Sequence, residues 1–344
     1  MLAKLSSWIA ILAVALCSTA LRADDRQKID IITLYNGDRI TGEIKALDGG
    51  QLQLSTDALD TVEIEWPEIA GVQSGYHYEV RLSDGNRLYG SFKDKAKPGQ
   101  LVLVDIYGRH EVELLQVVEI RPIEERVIDR IDIYLSTTFS YTKASSVGQA
   151  SLNTNIGYEN EKSTNNFTAR TDITRTNDDD TSSTDVNFTR NTWTRDRSSV
   201  FRAIFASYES NDELDLTRRL SAGAGLGRYF VDTHRNTLSG TAGLQVISED
   251  NKGDNVDQQL ELFFNTHYAA WKFTTPEMDI VLDFDLYPSV TEFGRVRTSS
   301  NLRLRWELVK DLYWDVTAWA NTDNDSGTGS SSDYAITTGL GWNN

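Results

Sequence analysis

The feature that most constrains this chain is a run of long segments, from Ile131 onward, in which apolar and polar residues alternate. A period of two places successive side chains on opposite faces of a β-strand. Each segment matches or exceeds the roughly 9–11 residues that a tilted strand needs to cross a bilayer. The pattern therefore predicts an all-β fold, a twelve-stranded antiparallel transmembrane β-barrel. The twelve segments are 131–142, 148–160, 163–176, 182–195, 199–209, 214–231, 235–249, 256–273, 277–287, 295–309, 312–322 and 333–343.

One face of these segments is apolar and the other is polar. In the segment 277–287, Leu282 and Phe284 share one face, while Asp283 and Asp285 share the other. Small barrels filled by side chains have about eight strands, so twelve strands enclose more space than these apolar side chains would fill. The apolar face is therefore predicted to face lipid, with a soluble β-sandwich as the alternative. The fourth and fifth segments alternate poorly.

The connections between the segments differ in length. Those after odd-numbered segments are long and polar, as in 321–333, and those after even-numbered segments are short, as in 309–312. Outer-membrane barrels have long extracellular loops and short periplasmic turns. With the amino end in the periplasm, the lengths fit this arrangement.

The tryptophans provide an independent indication of the membrane boundary. Trp306, Trp314 and Trp342 have the apolar parity and lie near the short connections. These positions predict an aromatic girdle at the periplasmic interface. Trp193 and Trp271 lie at the same level but have the opposite parity, which requires bulges or packing inside the barrel.

The amino end predicts export. Lys4 precedes the apolar run Trp8–Leu16, and small residues follow it. This is the layout of a signal peptide over residues 1–23, and the run is too short to span a bilayer as a helix. Cleavage would remove Cys17, the only cysteine, so no disulfide and no cysteine-based metal site or nucleophile is expected.

The net charge excludes one class of partner. The whole chain has a net charge of −17. Residues 1–23 hold Lys4 and Arg22 and no acidic residue, so about −19 remains after cleavage (−17 − 2). Binding of nucleic acid requires basic patches that neutralise phosphates, and no nucleic-acid partner is therefore expected.

Residues 28–122 contain an internal repeat. An offset of 48 residues aligns Gly37 with Gly85 and Arg39 with Arg87. Each copy has alternating segments around an Asn-Gly or Asp-Gly turn, which predicts a β-hairpin. The two copies resemble small SH3-like or Sm-like β-barrels in tandem, and the expected role is structural or the docking of a periplasmic protein partner. The two arginines are expected to be turn residues with solvated tips.

The order of domains follows from these segments. The charged stretch 123–130 lacks turn residues and is predicted to link the periplasmic domain 28–122 to the barrel 131–344. The expected location is the outer membrane of a Gram-negative cell envelope, with the front domain in the periplasm. Outer-membrane lipid, lipopolysaccharide and the barrel-assembly machinery are the partners expected for such a protein.

The last strand carries a feature of outer-membrane barrels. Gly339, followed three residues later by Trp342, resembles the carboxyl-terminal assembly signal, although Asn344 stands where a last aromatic residue is usual. With its Thr-, Asn-, Gly- and Tyr-rich strands, the segment 131–344 resembles the YdiY-like family of salt-induced outer-membrane proteins. The resemblance implies an outer-membrane β-barrel of unknown function, with an envelope or salt-stress role. It implies no catalytic residue.

A set of charged residues on the polar face is the candidate functional cluster. Two interpretations stay open: opposite charges shape a field across a narrow passive pore for small polar or charged solutes, or they pair and hold a closed barrel together. The cluster consists of Asp283, Asp285, Arg297, Arg303 and Arg305.

Enzyme chemistry is not indicated. His267 has the polar parity, so it is expected inside the barrel, whereas an outer-membrane hydrolase needs a lipid-facing Ser–His pair. The acidic loop 321–332 lacks the glycine and glutamate of an EF-hand. No catalytic, metal-binding or cofactor-binding residue is therefore predicted. The expected function is a non-enzymatic envelope-structural or osmotic role, with a pore and a hydrolase as the alternatives.

Overall fold

The structure is a computed structural model. In the part of the chain that it describes, no helix has the length and the hydrophobicity needed to span a membrane. The signal segment 1–23 and most of the predicted link lie outside the described residues. These are residues 27–93, 96–123, 130–142, 147–160, 162–176, 180–194, 197–212, 216–251, 257–324 and 332–342.

The front domain, residues 27–123, is a small barrel-like β domain. Its nine strands form one sheet in the order β4-β3-β2-β1-β5-β6-β7-β8, and β9 pairs with both β2 and β5. Two short 3-10 helices, Trp66–Glu68 and Leu114–Gln116, precede β5 and β9. The strands are β1 (Asp30–Leu34), β2 (Arg39–Asp48), β3 (Gln51–Ser55), β4 (Thr61–Glu65), β5 (Ile69–Leu82), β6 (Arg87–Phe92), β7 (Gln100–Val104), β8 (Arg109–Glu113) and β9 (Val117–Pro122).

Turn glycines and a hydrophobic core hold this domain together. Gly37 and Gly85 have φ angles of +93° and +87°, a region that is open to glycine and unfavourable for most other residues. Trp66 is fully buried, and its indole Nε1 donates a hydrogen bond of 2.6 Å to the carbonyl oxygen of Leu114. Tyr78 and Phe92 stack with their ring centroids 4.7 Å apart. The buried cluster draws on residues from Ile32 to Ile120, so the front domain has a core of its own.

Twelve further strands form a second sheet, with every neighbouring pair antiparallel and in sequence order. The predicted twelve antiparallel strands are thus confirmed, and their ends agree with the predicted segments within two residues. The strands are β10 (Ile131–Thr142), β11 (Val147–Asn160), β12 (Ser163–Arg175), β13 (Asp180–Thr194), β14 (Arg197–Asn211), β15 (Leu216–Asp232), β16 (Asn236–Asn251), β17 (Asp257–Lys272), β18 (Met278–Pro288), β19 (Val296–Val309), β20 (Leu312–Asp323) and β21 (Ser332–Trp342).

The second sheet curves around an interior. Phe205 of β14 lies against Phe263 of β17, although two strands separate β14 from β17. The face that carries these rings is called inward below, and the opposite face outward. The pairing of the described residues runs from β10 to β21 without joining these two strands, so each of them has one neighbouring strand. The second sheet is therefore barrel-like, and among the described residues no pairing between β10 and β21 closes it.

The register sorts the side chains of the second sheet by polarity. Leu282 pairs with Leu302 on the outward face, and Asp283 pairs with Asn301 on the inward face. Many large apolar side chains on the outward face are exposed, and together they are called the apolar band. Its members are Ile133, Leu135, Phe139, Ile173, Phe188, Ile204, Leu220, Leu226, Leu244, Val246, Leu262, Phe264, Leu282, Phe284, Trp306, Leu308, Trp314, Ile336, Leu340 and Trp342.

The two ends of the second sheet differ. At one end, called the turn end, short connections join each odd-numbered strand from β11 to β19 to the even-numbered strand that follows it, as between β15 and β16 at 232–236. At the opposite end, called the loop end, the connections are longer, as between β20 and β21 at 323–332. The front domain contacts the turn end.

Candidate functional site

Two turns of the front domain rest on the turn end of the second sheet. Gly50, in the turn between β2 and β3, is buried, and a Cβ atom there would lie 2.3 Å from the carbonyl oxygen of His234. Gly85, in the turn between β5 and β6, is also buried, and a Cβ atom there would lie 2.8 Å from the backbone nitrogen of Ser199. Both glycines have positive φ. The close approach of the two domains thus depends on residues without side chains.

A chain of buried ion pairs joins the two domains. Arg81 of β5 lies between Glu119 of β9 and Asp232 at the end of β15, and it forms an ion pair with each. Arg121 of β9 binds Glu119 and also Glu159 of β11. The carboxylates of Glu119 and Asp232 are each about nine-tenths buried. Buried charges need partners because desolvation is costly, so these contacts fix the two domains relative to each other.

The central carboxylate is strongly acidic. Burial of Glu119 opposes ionisation, but the guanidinium groups of Arg81 and Arg121 overcome this effect and lower its pKa to about 2. Glu119 therefore stays ionised in the docked structure well below neutral pH.

A second arginine of the front domain contacts an inward-facing tryptophan. The guanidinium group of Arg87 lies 4.6 Å from the ring centre of Trp193, a cation–π geometry. Arg87 also forms an ion pair with Glu79. Burial, partly offset by Arg87, raises the pKa of Glu79. The expectation of a solvated tip is therefore wrong for Arg87, because the turn that precedes it is pressed against the second sheet.

The two tryptophans with unexpected parity both lie at this junction. Trp193 faces inward beneath Arg87, with its ring centre 6.4 Å from that of Phe201. Trp271 donates a hydrogen bond of 2.8 Å from its indole Nε1 to the carbonyl oxygen of His234, next to Gly50 of the front domain. The inward parity of Trp193 and Trp271 is thus the sequence feature that marks the contact between the two domains. The sequence alone left bulges and packing inside the barrel as its two explanations.

Large aromatic rings occupy part of the interior. Phe205 and Phe263 meet edge to face with their centroids 5.2 Å apart. A Cβ atom on Gly223 would lie 2.5 Å from the ring of Phe205, and one on Gly225 would lie 2.7 Å from the ring of Phe263. Inward glycines therefore make room for the rings. The inward ring of Phe205 explains why the fifth predicted segment alternates poorly, since β14 carries apolar residues on both faces.

A chamber of about 520 Å³ adjoins these rings on the inward side. Its volume lies within the range that small-molecule sites occupy in proteins. The lining is mainly hydroxyl, amide and aromatic, drawn from strands β13 to β19. Its members include Asn187, Asn191, Ser207, Ser221, Tyr229, Thr241, Asn265 and Tyr287.

The charges on the wall of the chamber are paired with one another. Arg219 binds Glu209 at 2.8 Å and Glu249 at 2.9 Å. Arg297 binds Glu261 at 2.7 Å, and the carboxylate of Glu261 is fully buried. Each pair joins neighbouring or next-neighbouring strands, so the pairs stiffen the wall.

The structure separates the predicted charge cluster into independent contacts. Asp283 lies 2.6 Å from the ring of His267, and Asp285 accepts a hydrogen bond of 2.7 Å from Asn265. All five cluster residues lie on the inward face, but neither aspartate pairs with an arginine of β19. The three arginines bind other acids: Arg297 binds Glu261, Arg303 lies 3.4 Å from Asp279, and Arg305 lies 3.7 Å from Asp315. The register decides this, since Asp283 and Asp285 stand opposite Asn301 and Ser299.

The predicted girdle tryptophans come together on the outward face. Trp306 of β19 pairs with Trp314 of β20, and Trp342 of β21 pairs with Leu312 at the start of β20. All three are exposed and lie near the turn end. Gly339, the other residue of the predicted assembly signal, pairs with Asp315 and faces inward.

The histidine considered for a hydrolase also faces inward. The Nδ1 atom of His267 lies 2.6 Å from a carboxylate oxygen of Asp283. His267 is therefore not available to a Ser–His pair on the outward face, where such a hydrolase would need it.

These observations define the class of the protein: an all-β chain in which a small barrel-like domain docks on the turn end of a curved, twelve-stranded antiparallel sheet. A family model described as "Protein of unknown function, DUF481" matches residues 144–343, more than half of the chain. The chain belongs to this family. The matched region contains β11 to β21, whereas β10 and the front domain lie outside it. Among curated proteins and among solved structures, no match was found.

Replacement of Arg81 tests the ion-pair chain. The change Arg81→Ala leaves the buried carboxylates of Glu119 and Asp232 without their shared partner, and loss of one partner of a buried pair costs about 3–5 kcal/mol. We expect faster hydrogen exchange at the turn 232–236, measured by mass spectrometry. The control Arg109→Ala removes an exposed arginine of the same domain and should leave this exchange unchanged. Equal exchange in Arg81→Ala and the wild type would contradict the contact.

Acid should undock the front domain. Because the pKa of Glu119 is lowered from 4.5 to about 2, its contribution to stability is complete above about pH 4.5 and is lost as the pH falls toward 2. We expect exchange at the turn 232–236, corrected for the intrinsic pH effect, to rise as the pH falls below about 4.5. Glu119→Gln should show part of this rise already at pH 7. A protected turn in this variant at every pH would refute the role of Glu119.

Proposed function

We propose that this chain is a non-enzymatic outer-membrane protein, whose second sheet spans the membrane and whose front domain closes the periplasmic end. The apolar band carries this proposal. Exposed side chains such as Leu226, Leu244, Phe284 and Ile336 cover one face of the sheet from strand to strand. A surface of this kind and extent marks contact with a membrane or a protein. The inward face holds paired charges and amides, such as Arg297 with Glu261 and Asn265 with Asp285, which is the distribution of a transmembrane barrel.

The position of the tryptophans supports the orientation. Trp306, Trp314 and Trp342 stand at the end of the apolar band that is nearest the front domain. Indole rings favour the membrane interface because one side is apolar and the ring nitrogen is a hydrogen-bond donor. The turn end therefore lies at the periplasmic interface in this proposal, and the loop end faces the outside.

Two finer points belong to the same proposal. In lipid, unpaired strand edges leave backbone groups without hydrogen bonds, so β10 and β21 pair and close the barrel. The repeat in the front domain corresponds to two SH3-like or Sm-like modules; the turns at Gly37 and Gly85, with matching positive φ, support this. Export by the segment 1–23 would bring the chain to the periplasm.

The role of the closed barrel is envelope-structural in this proposal. Paired charges line the wall, aromatic rings fill part of the interior, and the front domain covers the turn end. These features support a stiff barrel rather than an open channel. The YdiY-like resemblance, its salt-induced naming, an osmotic role and a separate periplasmic partner stay predictions.

Leu282 of β18 and Asn301 of β19 provide a matched test of membrane insertion. Leu282 faces outward within the apolar band, and Asn301 faces inward opposite Asp283. An arginine on the lipid face near the bilayer centre costs about 2–4 kcal/mol, whereas an arginine at position 301 faces a carboxylate. We expect Leu282→Arg to reduce the folded, heat-modifiable form in outer-membrane fractions, and Asn301→Arg to preserve it. If both variants behave alike, or if the wild type fractionates as a soluble protein, the proposal fails.

The chamber favours a second candidate function, a pore that opens when the front domain undocks. Its polar lining of hydroxyl and amide groups suits small polar solutes. In planar bilayers, we expect the wild type to give no conductance steps and Arg81→Ala to give steps. Steps in the wild type would contradict closure by the front domain. Silence of Arg81→Ala in a bilayer-inserted state would eliminate the pore and leave the structural role.

A further inference from the structure

Three arginines interrupt the apolar outward face near the turn end. They are Arg190 of β13, Arg202 of β14 and Arg228 of β15, and together they are called the arginine row. Arg190 stands opposite Ile204, two residues from Arg202, and Arg202 stands opposite Leu226, two residues from Arg228. Side chains in such diagonal positions on neighbouring strands lie about 7–8 Å apart. The three guanidinium groups therefore form one patch.

The described surroundings of the arginine row contain no compensating charge. All three side chains are exposed, and no ion pair joins any of them to another described residue. None of the six residues paired with them across the strands is acidic: these are Asn165, Thr192, Val200, Ile204, Leu226 and Gly240.

Charged residues at the loop end behave differently. Arg175 binds Asp180 at 2.7 Å, and Arg218 lies 3.6 Å from Asp250. Each of these arginines therefore has an acidic partner within the chain. The arginine row differs from them because its three guanidinium groups lie beside apolar residues and have no acidic partner among the described residues.

The distance of the arginine row from the turn end indicates which groups could balance its positive charge. Arg190 and Arg228 lie four residues from the turn end of their strands and Arg202 lies five, whereas Trp306 lies three residues from the end of β19. The arginines thus stand one to two residues deeper than this girdle tryptophan. An arginine side chain is long enough to extend over this step to the interface, where its charged end would leave the hydrocarbon.

We infer that the arginine row is a binding site for the headgroup phosphates of anionic phospholipids in the leaflet at the turn end. Guanidinium groups donate paired hydrogen bonds to phosphate oxygens, and three like charges at this spacing need anions between them. The flanking Leu226 and Ile204 would contact the acyl chains of the same lipids. The inference rests on the proposed membrane insertion.

Lipid titration followed by native mass spectrometry tests the site. The full chain in detergent is titrated with phosphatidylglycerol, which is anionic, and with phosphatidylcholine, which is zwitterionic. The test variant is Arg190→Gln/Arg202→Gln/Arg228→Gln. The control variant, Arg170→Gln/Arg303→Gln/Arg305→Gln, removes the same charge from the inward face.

We expect the test variant to bind phosphatidylglycerol roughly 100-fold more weakly than the wild type, since each surface arginine contributes about fivefold and the three factors multiply. The control variant should keep the wild-type affinity, and both variants should keep heat-modifiable folding. A loss under about threefold, or an equal loss in the control, would overturn the inference. If millimolar inorganic phosphate displaces the lipid, the site recognises free phosphate and the assignment of a phospholipid as its ligand is wrong.

The outcomes for the two proposals are distinguishable. A wild-type chain that inserts into vesicles and shows no preference for phosphatidylglycerol would overturn the lipid site alone. A wild-type chain that does not enter vesicles of either lipid would overturn membrane insertion and, with it, the lipid site.

Discussion

The alternation of side chains along paired strands is the constraint on which the rest of the structure depends. Antiparallel pairing satisfies the backbone of each inner strand, and the pleat then assigns every residue of the second sheet to one of two faces. A register shift of one residue would exchange Leu282 with Asp283 and reverse the polarity of both faces. Twelve strands in one consistent register therefore produce an apolar exterior and a polar interior together.

The interior obeys a second constraint, which is volume. Rings and glycines alternate across neighbouring strands, so that Phe205 and Phe263 lie where Gly223 and Gly225 provide space. Charges follow a similar logic of compensation, because Arg297 stands over the buried carboxylate of Glu261. Ion pairs on the inward face therefore stiffen the sheet, and the aromatic rings reduce the volume of the chamber.

The junction between the domains combines shape and charge. Gly50 and Gly85 permit backbone contact, and Arg81 supplies the charge that Asp232 needs once it is removed from water. The junction lies at the turn end, where the front domain contacts Glu159 of β11, Trp193 of β13 and Asp232 of β15. In the proposed pore, these docking contacts would control the passage at this end.

For the second sheet, the sequence by itself determined the all-β class, the twelve strands, their bounds within two residues and the face of most side chains, because these follow from a local period of two. It predicted the outward position of Trp306, Trp314 and Trp342 for the same reason. Tertiary structure alone decided which inward charges meet, since Asp283 and Arg297 share a face and yet bind different partners. It also decided that the front domain docks on the turn end. Contacts between distant segments depend on curvature and docking, which no local pattern encodes.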